Sequence, residues 1–229
     1  MQKNKTIIIT LLVIVFSAFF IFFMYKNNNN LSSADSPSKK ITKEESLITI
    51  VAFGDSLTAG YGVSLEESYP KILEQKLNEQ NISVKVINMG VSGETTEIAL
   101  ERLDFINNQN PDIILLGIGA NDMLRSLPPE KTKINIEKII NYFQEKNKGI
   151  ILLGMKSINT NGPKYRESFN SIYTDLSKKY SLPLVPFFLE GVALNETLNI
   201  SDGIHPNYLG YQKIVSDNII PIIIPYLEK

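Results

Sequence analysis

The chain has 229 residues, of which 23 are basic and 24 acidic, with one histidine and no cysteine. A net charge of −1 excludes a general attraction to nucleic acid or to acidic surfaces. The lack of cysteine excludes disulfides, thiolate metal sites and a lipid-modified N-terminal cysteine, and a single histidine argues against a transition-metal site. The length leaves room for one domain with a full hydrophobic core once an N-terminal segment is set aside.

The beginning of the chain differs from the rest. Residues 1–5 carry two lysines, and residues 6–25 are almost wholly aliphatic and aromatic without a charge. About 20 such residues span the hydrocarbon core of a membrane as a helix. We expect residues 6–25 to be an uncleaved signal anchor with residues 1–5 in the cytoplasm, and a cleaved signal peptide is the alternative. The domain is then expected on the outer face of the cell membrane, or secreted if the segment is cleaved.

The remaining chain divides into a linker and a domain. Residues 26–46 contain an asparagine run with serine, proline and lysine, which predicts a flexible polar tether. In residues 47–229 apolar strands alternate with amphipathic helices, the pattern of a parallel sheet with helices on both faces. The strand candidates are 47–53, 82–88, 111–118, 149–155 and 182–186. The helix candidates are 67–80, 94–109, 130–147, 163–181 and 207–220. Pro221 and Pro225 are expected to prevent a longer final helix.

The first candidate functional stretch runs from Val51 to Gly62. An apolar strand stops there at a small polar turn that contains Ser56, and glycines such as Gly54 permit backbone conformations that other residues resist. A serine at the carboxyl end of such a strand faces the crevice where open α/β sheets bind ligands, which favours Ser56 as a nucleophile. A turn in which Asp55 and Ser56 only cap the following helix is the alternative.

The second stretch, Ser201–Asn207, contains the only histidine, His205. An activated serine needs a general base, and an imidazole that titrates at about pH 6.5 can serve as one at neutral pH. Asp202 lies close enough to His205 in a tight loop to hold the proton on Nδ1. A solvated loop histidine is the alternative, because an isolated D-x-x-H pattern is short and common.

Four motifs occur along the chain: GDSLTAGYG at 54–62, INMGVSGETT at 87–96, GIGAND at 117–122 and DGIHPN at 202–207. Together they resemble the GDSL, or SGNH, hydrolase family, and most closely its branch of thioesterase I, lysophospholipase L1 and arylesterase. The similarity extends over nearly all of the predicted domain. The resemblance implies a flavodoxin-like three-layer α/β/α sandwich with a parallel sheet, the SGNH hydrolase fold, that hydrolyses ester or thioester bonds.

The resemblance also implies roles for single residues. Ser56 is the expected nucleophile, and Asp202 and His205 are expected to complete a catalytic triad. The N–H of Gly90 and the side chain of Asn121 are the expected donors to the oxyanion, together with the N–H of Ser56. Without the resemblance, Gly90 is better explained as a turn glycine, and Asn121 is ordinarily a turn or cap residue.

Apolar residues near these motifs bear on the substrate. Met123 stands where many relatives have glycine, and with Leu124 it adds apolar surface beside the site. Residues 186–194 are unusually apolar for a connection, and they either cover the sheet edge as core or offer an acyl-chain surface.

We therefore expect hydrolysis of lipid-like acyl esters through an acyl-enzyme, without a cofactor. The expected partners are a small-molecule ester and, through the N-terminal apolar segment, a membrane, but no nucleic acid. Two alternatives stay open: a carbohydrate O-deacetylase acting on surface glycans, and a non-catalytic binding module on the same scaffold.

Overall fold

Five parallel strands form the centre of the computed structural model, which describes residues 47–157 and 162–228. The strands are β1 (Ile48–Gly54), β2 (Val84–Gly90), β3 (Ile113–Gly117), β4 (Gly149–Leu153) and β5 (Leu184–Val185). Their order in the sheet is β2-β1-β3-β4-β5, and every neighbouring pair is parallel. This is the flavodoxin-like strand order, so the predicted fold class is confirmed.

Helices cover both faces of this sheet. They are α1 (Ser56–Ala59), α2 (Tyr69–Glu79), α3 (Thr96–Ala99), α4 (Leu103–Asn107), α5 (Ala120–Leu124), α6 (Pro129–Glu145), α7 (Pro163–Tyr180), α8 (Tyr208–Lys213) and α9 (Ile220–Leu227). Helix α2 packs against α8 and the residues that follow it, whereas α3, α4 and α7 pack against α6. These two groups of helices are the outer layers of the three-layer sandwich.

The sheet is buried on both faces because its central strands are continuous apolar runs, as is typical of parallel strands. In β1, the side chains from Ile50 to Phe53 are fully buried. The compact unit that contains the sheet runs from Glu45 to Lys229, and the buried apolar residues of its described part lie between Ile50 and Ile223. A fragment of residues 45–229 therefore contains the whole described core and is expected to fold on its own.

One predicted helix is divided into three pieces. The sequence predicts a single helix over 94–109, but the structure has α3, a 3₁₀ turn at Leu100–Arg102, and α4. Arg102 departs from helical geometry, with φ of −105° and ψ of 4°. Its guanidinium reaches back to the carboxylate of Glu94 and the carbonyl of Met89. This contact is tertiary, so the periodicity of the segment does not reveal it.

The prediction that prolines end the last helix at residue 220 is wrong, because α9 continues to Leu227. Residues Ile214–Ile219 are π-helical, and α9 begins after them, which places Pro221 in its first turn. The first turn of a helix tolerates proline because its N–H groups have no partner within the helix. Pro225 deprives the carbonyl of Pro221 of its helical donor, but both prolines are exposed to water.

Within residues 47–157 and 162–228, no helix is both long enough and apolar enough to cross a membrane. The predicted anchor at 6–25 and the predicted tether at 26–46 lie outside the described residues, so both stay predictions.

Candidate active site

Ser56 lies at the junction of β1 and α1, at the carboxyl edge of the sheet. In this strand order β1 stands between β2 and β3, the switch point where open α/β sheets bind ligands. Gly54 has to be a glycine, because a Cβ there would lie 2.2 Å from the carbonyl oxygen of Gly117 in β3. Gly60 ends α1 with φ of +81°, in the left-handed region that favours glycine. The tight strand, turn and helix thereby present Ser56 at the start of α1.

His205 completes a hydrogen-bonded chain with Ser56 and Asp202. Its Nε2 lies 2.8 Å from Ser56 Oγ, and its Nδ1 lies 2.6 Å from Asp202 Oδ2. The other oxygen of Asp202 accepts the N–H groups of Ile204 and His205 at 2.8 and 3.0 Å. Burial alone would raise the pKa of Asp202, but these N–H donors and the imidazole bring the pKa below its usual range. An ionised Asp202 holds the proton on Nδ1, which leaves Nε2 able to accept a proton from Ser56.

Asp55, next to Ser56, is the N-cap of α1, and its carboxylate accepts the N–H of Leu57 at 3.0 Å. A helix cap and a reactive serine are therefore compatible in this turn, because Asp55 supplies the cap and Ser56 is the serine. Burial raises the pKa of Asp55 to about 7. The hydrogen bond from the Leu57 N–H lowers the pKa, whereas the nearby charges of Glu94 and Asp122 raise it further. Within the described ranges, no three histidine or acidic side chains are arranged so that they could hold a metal ion.

Asparagine side chains hold the loop that carries His205, which runs from β5 to α8 without a helix or strand of its own in its described residues. Asn207 and Asn199 each donate to two carbonyls within this loop. Asn207 donates to the carbonyls of Thr197 and Asn199 at 3.0 and 3.3 Å. Asn199 donates to the carbonyls of Val192 and Asn195 at 2.7 and 2.8 Å. Asn207 also caps α8, so the last residue of the DGIHPN motif has a structural explanation.

Tyr61 packs against His205 with 4.7 Å between the ring centroids. It stands between Gly60 and Gly62, which have φ of +81° and +85°. A Cβ at Gly62 would lie 2.4 Å from Ile200, so the turn after α1 packs directly against the histidine loop. The GDSLTAGYG motif assigns no role to Tyr61 by itself, and the glycines on either side of Tyr61 are the sequence feature that points to it.

Asn121 lies in the first turn of α5, directly after β3, and lines the same pocket as Ser56. Its neighbour Asp122 is buried and ties this helix to the rest of the domain. The carboxylate of Asp122 accepts the N–H and the hydroxyl of Thr96 at 2.8 and 2.5 Å and the hydroxyl of Thr132 at 3.3 Å. The side chain of Asn121 is thus presented to the pocket from an anchored helix.

Gly90 is paired with Gly54 at the end of β2, but its N–H is engaged within its own strand. It donates to the side-chain oxygen of Asn88 at 3.0 Å, the local bond that asparagine commonly forms two residues on. A Cβ at Gly90 would lie 2.1 Å from the backbone nitrogen of Ala59, so the close approach of α1 requires glycine here. The N–H of Gly90 is thus held by Asn88, and the close approach of α1 gives this glycine a packing role, while its role as an oxyanion donor stays a prediction.

A pocket of about 420 Å³ opens beside Ser56 and His205. Most of its other lining residues are apolar: Leu57, Ala120, Met123, Leu124, Met155, Phe187, Leu189, Ala193, Leu194 and Ile204. Residues 186–194 serve both of the predicted purposes, because Phe188 and Val192 are buried in the core while their neighbours line the pocket. The site thus combines a hydrogen-bonded serine and histidine with an apolar cavity.

This fold and this site define a serine hydrolase built on a flavodoxin-like α/β/α sandwich. A family model described as GDSL-like Lipase/Acylhydrolase matches residues 52–213, and the chain belongs to this family. An arylesterase from Vibrio mimicus is 35% identical over 158 residues, which cover 69% of this chain and 79% of that protein. The thioesterase 1/protease 1/lysophospholipase L1 of Escherichia coli (strain K12) is 34% identical over 160 residues, which cover 69% and 76%.

The crystal structure of the psychrotrophic esterase EstA from Pseudoalteromonas sp. also resembles this domain. The two have a TM-score of 0.73 and 32% sequence identity, over 79% of this chain and 99% of that one. The family and these relatives identify the protein as an ester-hydrolysing enzyme.

Proposed function

We propose that Ser56 attacks the carbonyl carbon of an ester and forms an acyl-enzyme, with His205 as the general base and Asp202 orienting the imidazole. The hydrogen-bonded chain of these three side chains is the observation that carries the proposal. As the bond from Oγ to the carbonyl carbon forms, Nε2 takes the serine proton and then gives it to the departing alcohol or thiol. Water, activated by the same imidazole, releases the acid and restores Ser56.

Two donors are proposed for the oxyanion: the N–H of Ser56 and the side-chain amide of Asn121. Ser56 is the first residue of α1, where an N–H has no acceptor within the helix. The N–H of Leu57, by contrast, is taken by the Asp55 side chain. The amide of Asn121 donates without ionising, and removing one such donor lowers the rate by about 100- to 1000-fold.

The proposed substrate carries a lipid-like acyl chain, which the apolar pocket accommodates beside Ser56. The names of the two relatives, an arylesterase and a thioesterase and lysophospholipase, support varied leaving groups on an acyl ester or thioester. A glycan O-deacetylase is not favoured, because an acetyl group needs far less apolar space. A binding module is not favoured, because it has no use for a serine hydrogen-bonded to an oriented histidine.

The proposed location is the outer face of the cell membrane, with residues 6–25 as the anchor. The apolar composition of these residues supports this proposal. Fractionation of cells that express the full chain, followed by protease treatment of intact cells, tests it. Membrane-bound protein that is digested from outside is expected, and protein found only in the cytosol would contradict the proposal.

Turnover of p-nitrophenyl esters from acetate to palmitate by residues 45–229 tests the catalytic proposal. Ser56→Ala is expected to lower kcat by more than about 1000-fold, because it removes the nucleophile. Ser171→Ala is the matched control, since the Ser171 hydroxyl bonds within its own helix α7, to the carbonyl of Ser168 and the carboxylate of Asp175. Normal turnover by Ser56→Ala would refute the proposed mechanism, and turnover confined to acetate would refute the lipid-like substrate.

A further inference from the structure

The C-terminal helical region contains an irregularity. Residues Ile214–Ile219, between α8 and α9, are π-helical, and such segments occur frequently at functional sites. Asn218 lies in this segment, and its side-chain amide donates to the carbonyl of Phe188 at 3.0 Å and to that of Glu190 at 3.1 Å. A single amide thereby holds a loop that lies 28 to 30 residues earlier in the chain.

The loop that Asn218 holds is one side of the pocket. We call residues 187–194 the pocket wall, since Phe187, Leu189, Ala193 and Leu194 line the pocket. The pocket wall consists of turns rather than a helix or a strand. Its last residue, Leu194, is 86% exposed and has φ of +63°, an uncommon conformation for a residue other than glycine. The pocket wall therefore depends on contacts from outside itself for its position.

Hydrogen bonds attach the backbone of the pocket wall to three parts of the domain. At the sheet, the N–H of Phe188 donates to the carbonyl of Gly154 at 2.8 Å. In the histidine loop, Asn199 donates to the carbonyl of Val192 at 2.7 Å. Between these points, Asn218 connects Phe188 and Glu190 to the C-terminal helical region. The middle of the pocket wall is thus held by a residue that does not itself line the pocket.

We propose that Asn218 is a positioning residue that determines acyl-chain specificity, because it holds the pocket wall against which a long acyl chain packs. This inference rests on the proposed function, in which the acyl chain occupies the pocket. An acetyl group has about the volume of two waters, roughly 60 Å³, and stays beside Ser56. A longer chain reaches the pocket wall within the 420 Å³ cavity. A wall that is fixed before binding removes the entropic cost of ordering it around the chain.

Steady-state kinetics with p-nitrophenyl acetate and p-nitrophenyl octanoate test this inference, using residues 45–229. For Asn218→Ala, kcat/KM on octanoate is expected to fall about ten-fold, mainly through KM, the effect of one or two lost neutral hydrogen bonds. On acetate, kcat/KM is expected to stay within about two-fold of the parent, because the acetyl group does not reach the pocket wall. Asn218→Asp keeps the shape of the side chain but turns an acceptor toward the two carbonyls, so a selective loss at least as large is expected.

Ser216→Ala is the matched control in the same π-helical segment, because the Ser216 hydroxyl donates only to the carbonyl of Gln212 in its own helix, at 2.9 Å. It is expected to leave both substrates unaffected, and thermal unfolding checks that each variant is folded. Equal losses on acetate and octanoate, or no loss on octanoate, would overturn the inference. A parent fragment that hydrolyses no ester would refute the proposed function itself, which separates the two failures.

Discussion

Replacing Asp55 by asparagine tests whether the buried carboxyl beside Ser56 destabilises the domain at neutral pH. Asp55 is 1% exposed, and burial raises its pKa from 3.8 to about 7. Between these two pH values the native protein keeps a proton that the unfolded chain releases. The native state binds more protons there, so the free energy of unfolding decreases as the pH rises. At 1.36 kcal/mol for each pH unit between the two pKa values, the full destabilisation above pH 7 is about 4 kcal/mol.

Asp55→Asn removes this penalty but keeps the helix cap, because its side-chain oxygen can still accept the N–H of Leu57. Urea unfolding of residues 45–229 at pH 4 and pH 8 measures the effect. The variant is expected to match the parent within about 0.5 kcal/mol at pH 4 and to be more stable by about 4 kcal/mol at pH 8. Asp175→Asn is the control, since Lys133 pairs with this half-buried carboxylate at 2.7 Å and lowers its pKa, so no gain is expected. Parallel pH dependence in Asp55→Asn and the parent would refute the reasoning.

Two further substitutions test the site. Asp202→Asn is expected to lower kcat/KM by about 10⁴-fold. The reason is that an amide has one oxygen, which cannot accept both from the imidazole and from the backbone N–H groups that the Asp202 carboxylate bonds. Ester kinetics measure the loss, and a loss below ten-fold would contradict the orienting role. Gly90→Ala is expected to destabilise the domain by about 3 kcal/mol or more, because its Cβ would lie 2.1 Å from the nitrogen of Ala59. Gly162→Ala, whose Cβ meets nothing within 4 Å, should cost only the backbone strain of φ +82° and ψ 164°, about 1 to 3 kcal/mol, and an unchanged Tm for Gly90→Ala would contradict the packing role.

The residues of the candidate site could be predicted because each lies in a short motif, next to a strand end or in a local turn. Ser56 and Asn121 directly follow apolar runs that form β1 and β3, and parallel strands bring their carboxyl ends to one edge. Asp202 and His205 are three residues apart, so their contact depends only on a local turn. The packing role of Gly90 and the hydrogen bond of its N–H could not be predicted, because they depend on where α1 packs and on which acceptor lies near the N–H.

Other parts of the domain leave no local signal in the sequence. Met155 and Lys156 line the pocket, but they follow β4 after a single glycine, Gly154, and no polar motif marks this strand end. The π-helical segment that precedes α9 breaks the 3.6-residue period, so the sequence could not show that Pro221 lies in a new first turn. The position of Asn218 beside Phe188 likewise arises only when the C-terminal helical region packs on the sheet.

The asparagine bonds in the histidine loop bear on how a pH profile of this enzyme is to be understood. Asparagine amides do not ionise between pH 5 and pH 9, so the hydrogen bonds of Asn199 and Asn207 hold the loop equally well at both pH values. The carboxylate of Asp202 has its pKa below the usual range and stays charged throughout that interval. The loop therefore keeps its shape throughout that interval. A fall in rate on acidification within it then reports a change at the reacting groups rather than a loosening of the loop around them.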